Sequence, residues 1–201
     1  MRRTPFPKRV FQISTTAVLF MTGAQVAYAD ATAPCNAGAD PTALECGVNS
    51  SATGADAMAV GTDSSANGPS TSAVGGESVA TGPGATAIGW QSAATAERAQ
   101  AFGHLATAQG ERSLAVGENA DAQTDLSTAI GNESIANGTD ALAIGDTANA
   151  TGPSTSAVGG ESVATGPGAT AIGWQSAATA ERAQAFGHLA TAQGERSLAV
   201  G

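Results

Sequence analysis

The chain has 201 residues, with 26 glycines, one tyrosine, two tryptophans and five phenylalanines, and 17 acidic residues stand against 8 basic ones. If residues 1–29 are an export signal, four arginines and no lysine remain beyond it, giving a net charge of −13 with histidine neutral. That excludes Walker-type phosphate loops and Schiff-base chemistry, which need a positioned ammonium group, and it removes the basic footprint that nucleic acid demands.

The N-terminus begins with a cationic stretch (Arg2, Arg3, Lys8, Arg9), continues through Val18, Leu19, Phe20 and Met21, and reaches the small-x-small site Ala27-Tyr28-Ala29. This is the pattern of a signal peptide over residues 1–29; the apolar stretch is too short and too interrupted for a membrane anchor. Cys35 and Cys46 then lie in an oxidising compartment with no other cysteine to pair with. An intrachain disulfide is expected inside an N-terminal cap over residues 30–48. No metal site is expected, since zinc wants four ligands and the two histidines lie far off in the chain.

From residue 49 to 201 the chain is periodic. Gly68–Gly117 recurs residue for residue as Gly152–Gly201, an offset of 84, or six times 14. Ala-(Val/Ile/Phe)-Gly recurs eleven times without a slip, its middle residue being Val60, Val74, Ile88, Phe102, Val116, Ile130, Ile144, Val158, Ile172, Phe186 and Val200. Such a fixed period predicts a solenoid, in which no unit buries its apolar face alone. Within a unit the residues alternate by two, so two short strands and two turns fit fourteen residues. The alanines face a very narrow interior, because Trp90, Trp174, Phe102 and Phe186 are the only large aromatic residues beyond the signal. The Val/Ile/Phe row faces the other way. Water is a poor place for such a stripe, so the row is expected at a symmetric interface between copies of the chain. Eleven rungs at about 4.8 Å make a rod of roughly 50 Å.

These units resemble the head repeats of YadA-like trimeric autotransporter adhesins, whose pattern is roughly Asn-Ser-Val-Ala-Ile-Gly with Ser-x-Ala-x-Gly. Asp140-Ala141-Leu142-Ala143-Ile144-Gly145, preceded by Ser134-Ile135-Ala136-Asn137-Gly138, carries the likeness. The resemblance implies an all-β fold, a left-handed parallel β-roll of 14-residue rungs, wound as a homotrimer. It also implies an adhesin head that attaches to a host extracellular matrix protein (collagen-like) or a cell-surface receptor, and that can mediate autoagglutination. No heptad stalk or barrel follows residue 201, so the chain is expected to be a head fragment or a truncated product. Surface display at the outer membrane is expected where the full-length protein has an anchor, and periplasmic or secreted export otherwise. Pairs such as Glu97-Arg98, Glu111-Arg112 and Pro83-Gly84 replace the family's Asn-Ser start and sit where a turn is expected.

Residues fourteen apart stack, so surface columns can be read directly. The position after the repeat glycine places Trp90 one rung from His104 and His104 one rung from Glu118, and it repeats Trp174 and His188. These five residues are the candidate ligand contacts; the plainer alternative is a tryptophan lying over the turn glycine beneath it and a solvated histidine. No nucleophile or orienting carboxylate stands consistently beside His104, so no enzyme activity, catalytic residue, cofactor or direct membrane insertion is expected. A polar column seven residues before the aliphatic one, including Thr81, Thr95 and Thr165, is expected to be a solvated strand face with side chains bonded along the stack. An ice- or lattice-binding solenoid is the alternative function, but it needs a regular threonine array. The position two before the aliphatic residue instead mixes Met58, Ser72, Thr86, Gln100 and Leu114. A hexapeptide-repeat acyltransferase needs a period of about 18, and a nonapeptide calcium roll needs acids in register.

Overall fold

The computed structural model describes residues 35–201, and the expected export signal lies outside them. Strands and turns alternate through the whole described chain, and no helix occurs among the described residues. Strand β1 (Asn36–Ala37) pairs antiparallel with β2 (Leu44–Cys46), and every later pairing is parallel and exactly one rung apart. From β3 (Ser51–Ala52) and β4 (Met58–Val60) to β24 (Leu198–Val200), two-residue and three-residue strands alternate. The three-residue strands join β1 and β2 in a first sheet of 13 strands, and the two-residue strands form a second sheet of 11. Each residue pairs with the one fourteen along, as Ala101 does with Ala115 and Phe102 with Val116. The result is a parallel β-solenoid of about eleven turns.

The local code is finer than the 14-residue period. Each half-turn follows Gly-x-x-(Ala/Ser/Thr)-x-Ala-x, as in Gly89-Trp-Gln-Ser-Ala-Ala-Thr95, with Ala96, Thr124 and Ala180 in place of the opening glycine, so one rung is two copies of a seven-residue unit. The fourth and sixth positions point inward. Ala85, Ala87, Ser92 and Ala94 are fully buried, and the same pattern fills the interior rung after rung. Two sheets held apart by alanine and serine, with threonine only at Thr71 and Thr155, make a core with no room for larger side chains.

Buried hydroxyls are matched within the turns. Ser92 Oγ donates to the Gly89 carbonyl at 3.0 Å on one side of the rod, and Thr71 Oγ1 donates to the Gly68 carbonyl at 2.7 Å on the other. Serine or threonine at the fourth position therefore closes its own turn without leaving an unpaired polar group, save at Ser197 in the last half-turn. The third position of each half-turn is left-handed, at φ 51–61° for twenty non-glycine residues that include Arg98, Leu105 and Glu133. Their backbone N–H groups reach the previous rung, as Arg98 N does the Pro83 carbonyl at 2.9 Å. That bond offsets a conformation costing L-residues about 1–2 kcal/mol.

At the N-terminal end the parallel stack stops at a hairpin. Cys35 and Cys46 are joined by a disulfide. Glu45 occupies the inward column that is alanine in the next rungs, and its Oε1 accepts from the Ala52 N–H at 2.7 Å on the outermost strand of the second sheet. A carboxylate thus satisfies a donor that has no preceding rung to meet. In the hairpin turn, the Thr42 hydroxyl and N–H both donate to Asp40 and hold its carboxyl below the usual carboxylate range.

Candidate functional site

The rod has two outer sheet faces and two turn edges. The first-sheet face carries the Val/Ile/Phe row, opposite the buried alanines. In a single chain these side chains are half-buried at best, and Ile88 and Ile172 remain 42% exposed. Parallel pairing keeps the row continuous, with Val74 beside Ile88 and Ile88 beside Phe102.

The first-turn edge follows this row. Each of its turns opens with a glycine from Gly47 to Gly187 at φ 119–141°, a region closed to other residues. A Cβ at Gly89 would also lie 2.2 Å from the Gly103 carbonyl oxygen. Rungs are therefore locked backbone to backbone, and the next residue is thrown outward. This brings together the aromatic column read from the sequence. Trp90 stacks on His104 with ring centroids 5.0 Å apart, and His104 Nδ1 lies 3.3 Å from Glu118 Oε1. Trp174 and His188 repeat the contact at 4.8 Å. The plainer reading of the tryptophans holds as well: the place of a Cβ on Gly76 is 3.1 Å from Trp90 Cδ1, so the indole leans over that glycine. Trp90 nevertheless stays 47% exposed and Trp174 48%. All five candidate contacts thus lie on one edge, in two clusters.

Sequence columns taken singly miss a groove on the same edge. Asn119, Asp121, Glu133, Ile135, Thr147 and Asn149 line a space of about 360 Å³. Asp121 Oδ1 and Asn149 Oδ1 are buried there without a hydrogen-bond partner, while Gln123 Nε2 donates to the other oxygen of Asp121. Only two neighbouring columns read together across three rungs would have found it.

The second-turn edge differs in charge. It holds all four arginines found beyond residue 34, each beside its own glutamate, as Arg98 is beside Glu97 at 3.8 Å and Arg112 beside Glu111 at 3.5 Å. The first-turn edge carries Asp63, Glu77, Glu118, Glu133, Asp146 and Glu161 and no arginine or lysine. The polar column of the second sheet bonds along the stack in part, with Thr81 Oγ1 donating to the Thr95 carbonyl at 3.1 Å and Thr165 Oγ1 to that of Thr179 at 3.4 Å. Among the described residues no cluster of side chains is suited to a metal ion.

Rungs of fixed length, a small-residue interior and an outward apolar row define a repeat-built parallel β-solenoid. The family model for the YadA head domain repeat matches in overlapping segments from residue 47 to residue 201, and the chain belongs to that family. The comparison with curated proteins gives no match. Among solved structures, the crystal structure of the collagen-binding domain of the Yersinia adhesin YadA is similar at 24% identity. The likeness covers 77% of this chain and 72% of that one, with a TM-score of 0.40.

Proposed function

We propose that the chain is the head of a bacterial surface adhesin, a homotrimer of left-handed β-rolls that attaches to host extracellular matrix or cells by multivalent, non-enzymatic contact. The observation that carries this reading is the outward Val/Ile/Phe row within a chain of YadA head repeats. A stripe of large aliphatic groups running the length of a rod is costly in water and is covered most simply by copies of itself around a common axis. Repetition then presents the same surface several times over, so weak single contacts add up to firm attachment. The signal over residues 1–29 belongs to this reading, which places the head outside the inner membrane.

The test is the light-scattering mass of the purified protein across a dilution series, followed by its binding to immobilised matrix proteins and cells. A mass three times that of one chain, persisting on dilution, together with saturable adhesion, is the expected result. A monomer that adheres to nothing overturns it. The ice- or lattice-binding alternative is not favoured, because the outer columns carry no regular threonine array.

A further inference from the structure

An aliphatic row covered by copies of the chain does not say how those copies align. Its residues recur at every rung, so sliding one rod past another by one rung, about 4.8 Å, sets Val, Ile or Phe against the same kind of side chain again. An axial register needs features that differ from rung to rung.

Two such features border the row. On one side Trp90 and His104 follow the glycines that succeed Ile88 and Phe102. On the other, Arg98, Gln100 and Phe102 alternate with the buried Ala99 and Ala101, so the arginine column continues the outward face of the row. Arg98 shares its rung with Trp90 and Arg112 shares the next with His104, and the duplication repeats both pairs. No other rung carries an arginine, a tryptophan or a histidine.

The paired side chains also lean the same way. The place of a Cβ on Gly76 is 3.1 Å from Trp90 Cδ1, and that on Gly84, in the same rung as Gly76, is 3.5 Å from Arg98 Cγ. Gly160 and Gly168 receive Trp174 and Arg182 likewise, at 3.2 and 3.5 Å. Indole and arginine stem both tilt toward the preceding rung and stay level with each other, yet within one chain they stand on opposite edges of the rod. In a cyclic ring with the row at its axis, every contact joins unlike sides. The first-turn border of one copy then faces the second-turn border of the next, rung for rung. An arginine arrives there beside a half-exposed indole, on an acidic edge that has no arginine or lysine of its own.

We infer that a second copy of this chain docks its second-turn edge on the first-turn edge at the same rung, laying Arg98 on the Trp90 indole and Arg182 on that of Trp174. This contact presupposes the trimer reading and fixes what that reading leaves open, the alignment of the rods. A guanidinium is attracted to the face of an indole within about 6 Å of its centroid. Such pairs select one alignment, while the row supplies the affinity. A closed ring returns to its start, so a slip that brings Trp90 to Arg112 at one contact must be undone at another, where Trp90 meets a rung without arginine. A slip of six rungs brings Trp174 to Arg98 but leaves more than half of the row uncovered.

The experiment places cysteine pairs in the full protein and reads the bonded species under non-reducing conditions. Trp90→Cys with Arg98→Cys leaves the second site at Trp174 and Arg182 intact, and it is expected to bond chains covalently into trimers. Trp90→Cys with Leu126→Cys, two rungs further along the arginine column, is expected to give none, and Trp90→Cys alone gives no bonded species. The chain has two tryptophans in all, so its emission reports these two sites. Replacing both Arg98→Ala and Arg182→Ala is expected to keep the circular dichroism and the trimeric mass, shift the emission to the red and raise its quenching by acrylamide, which no contact within one chain would do. Bonded trimers from the out-of-register pair, their absence from the in-register pair, or emission indifferent to both arginines overturns the pairing and leaves the trimer reading standing. A monomeric wild-type mass overturns both.

Discussion

The two turn edges are built from the same seven-residue unit, yet they tolerate different residues. On the first edge the opening glycine has φ of 119–141° in every rung from Gly47 to Gly187. On the second edge the equivalent glycines have no positive φ, and Ala96, Thr124 and Ala180 stand in their column. Both edges press backbone against backbone, so crowding alone does not explain the contrast. The dihedral angle does: a side chain on the first edge meets a forbidden conformation as well as a neighbour. One edge is held by backbone geometry and is free to carry exposed aromatics and unpaired acids. The other varies at its opening residue and sets each of its arginines beside a glutamate.

The largest effect that would sharpen this contrast is Gly131→Ala on the first edge. It is expected to lower stability by about 1–3 kcal/mol in denaturant unfolding, through strain at φ 136°. The matching change in the second column, Ala96→Gly, is expected to shift stability by less than about 1 kcal/mol. Equal costs at the two sites would break the comparison. Next come the turn-closing hydroxyls, where the edges are alike. Ser162→Ala on the first and Thr155→Ala on the second each remove a hydrogen bond to the turn carbonyl, at 2.8 and 2.6 Å, and each is expected to cost about 1 kcal/mol. The smallest effect is expected for Arg98→Gln on the second edge. Its guanidinium and Glu97 are both about half exposed, so the change should cost no more than about 1 kcal/mol, and raising the salt should erase it.

Much of the fold was legible because the interior is so narrow. Alanine, serine or threonine at every rung position that must face inward, and glycine after each Val, Ile or Phe of the outward row, left one period and one strand pattern to choose. The half-period was harder to see, because the seventh position is aliphatic in one half of each rung and polar in the other. Ile144 and Thr151 occupy the same place in successive half-turns and share no chemistry. The left-handed residues were illegible for another reason. Arg98, Leu105 and Glu133 are not residues that advertise a positive φ, and they are held there by hydrogen bonds to the rung before. At the site, stacking by fourteen placed Trp90, His104 and Glu118 correctly in one column. The groove at Glu133 escaped because it depends on which atoms are left without partners, which no single column records.

The seven-residue unit also bears on how such a gene can lengthen and shorten. Loss or gain of one unit would leave every interior alanine in place, yet it would carry the aliphatic row and the tryptophan platforms to the opposite side of the rod from that point on. Changes of fourteen residues preserve the faces. The 84-residue copy within this chain is twelve units long, an even number, and its tryptophans fall on the same edge as the originals. An odd step would also carry Ala96, Thr124 or Ala180 into the column that needs φ of 119–141°, so the backbone of the first edge and the outer faces both require even steps.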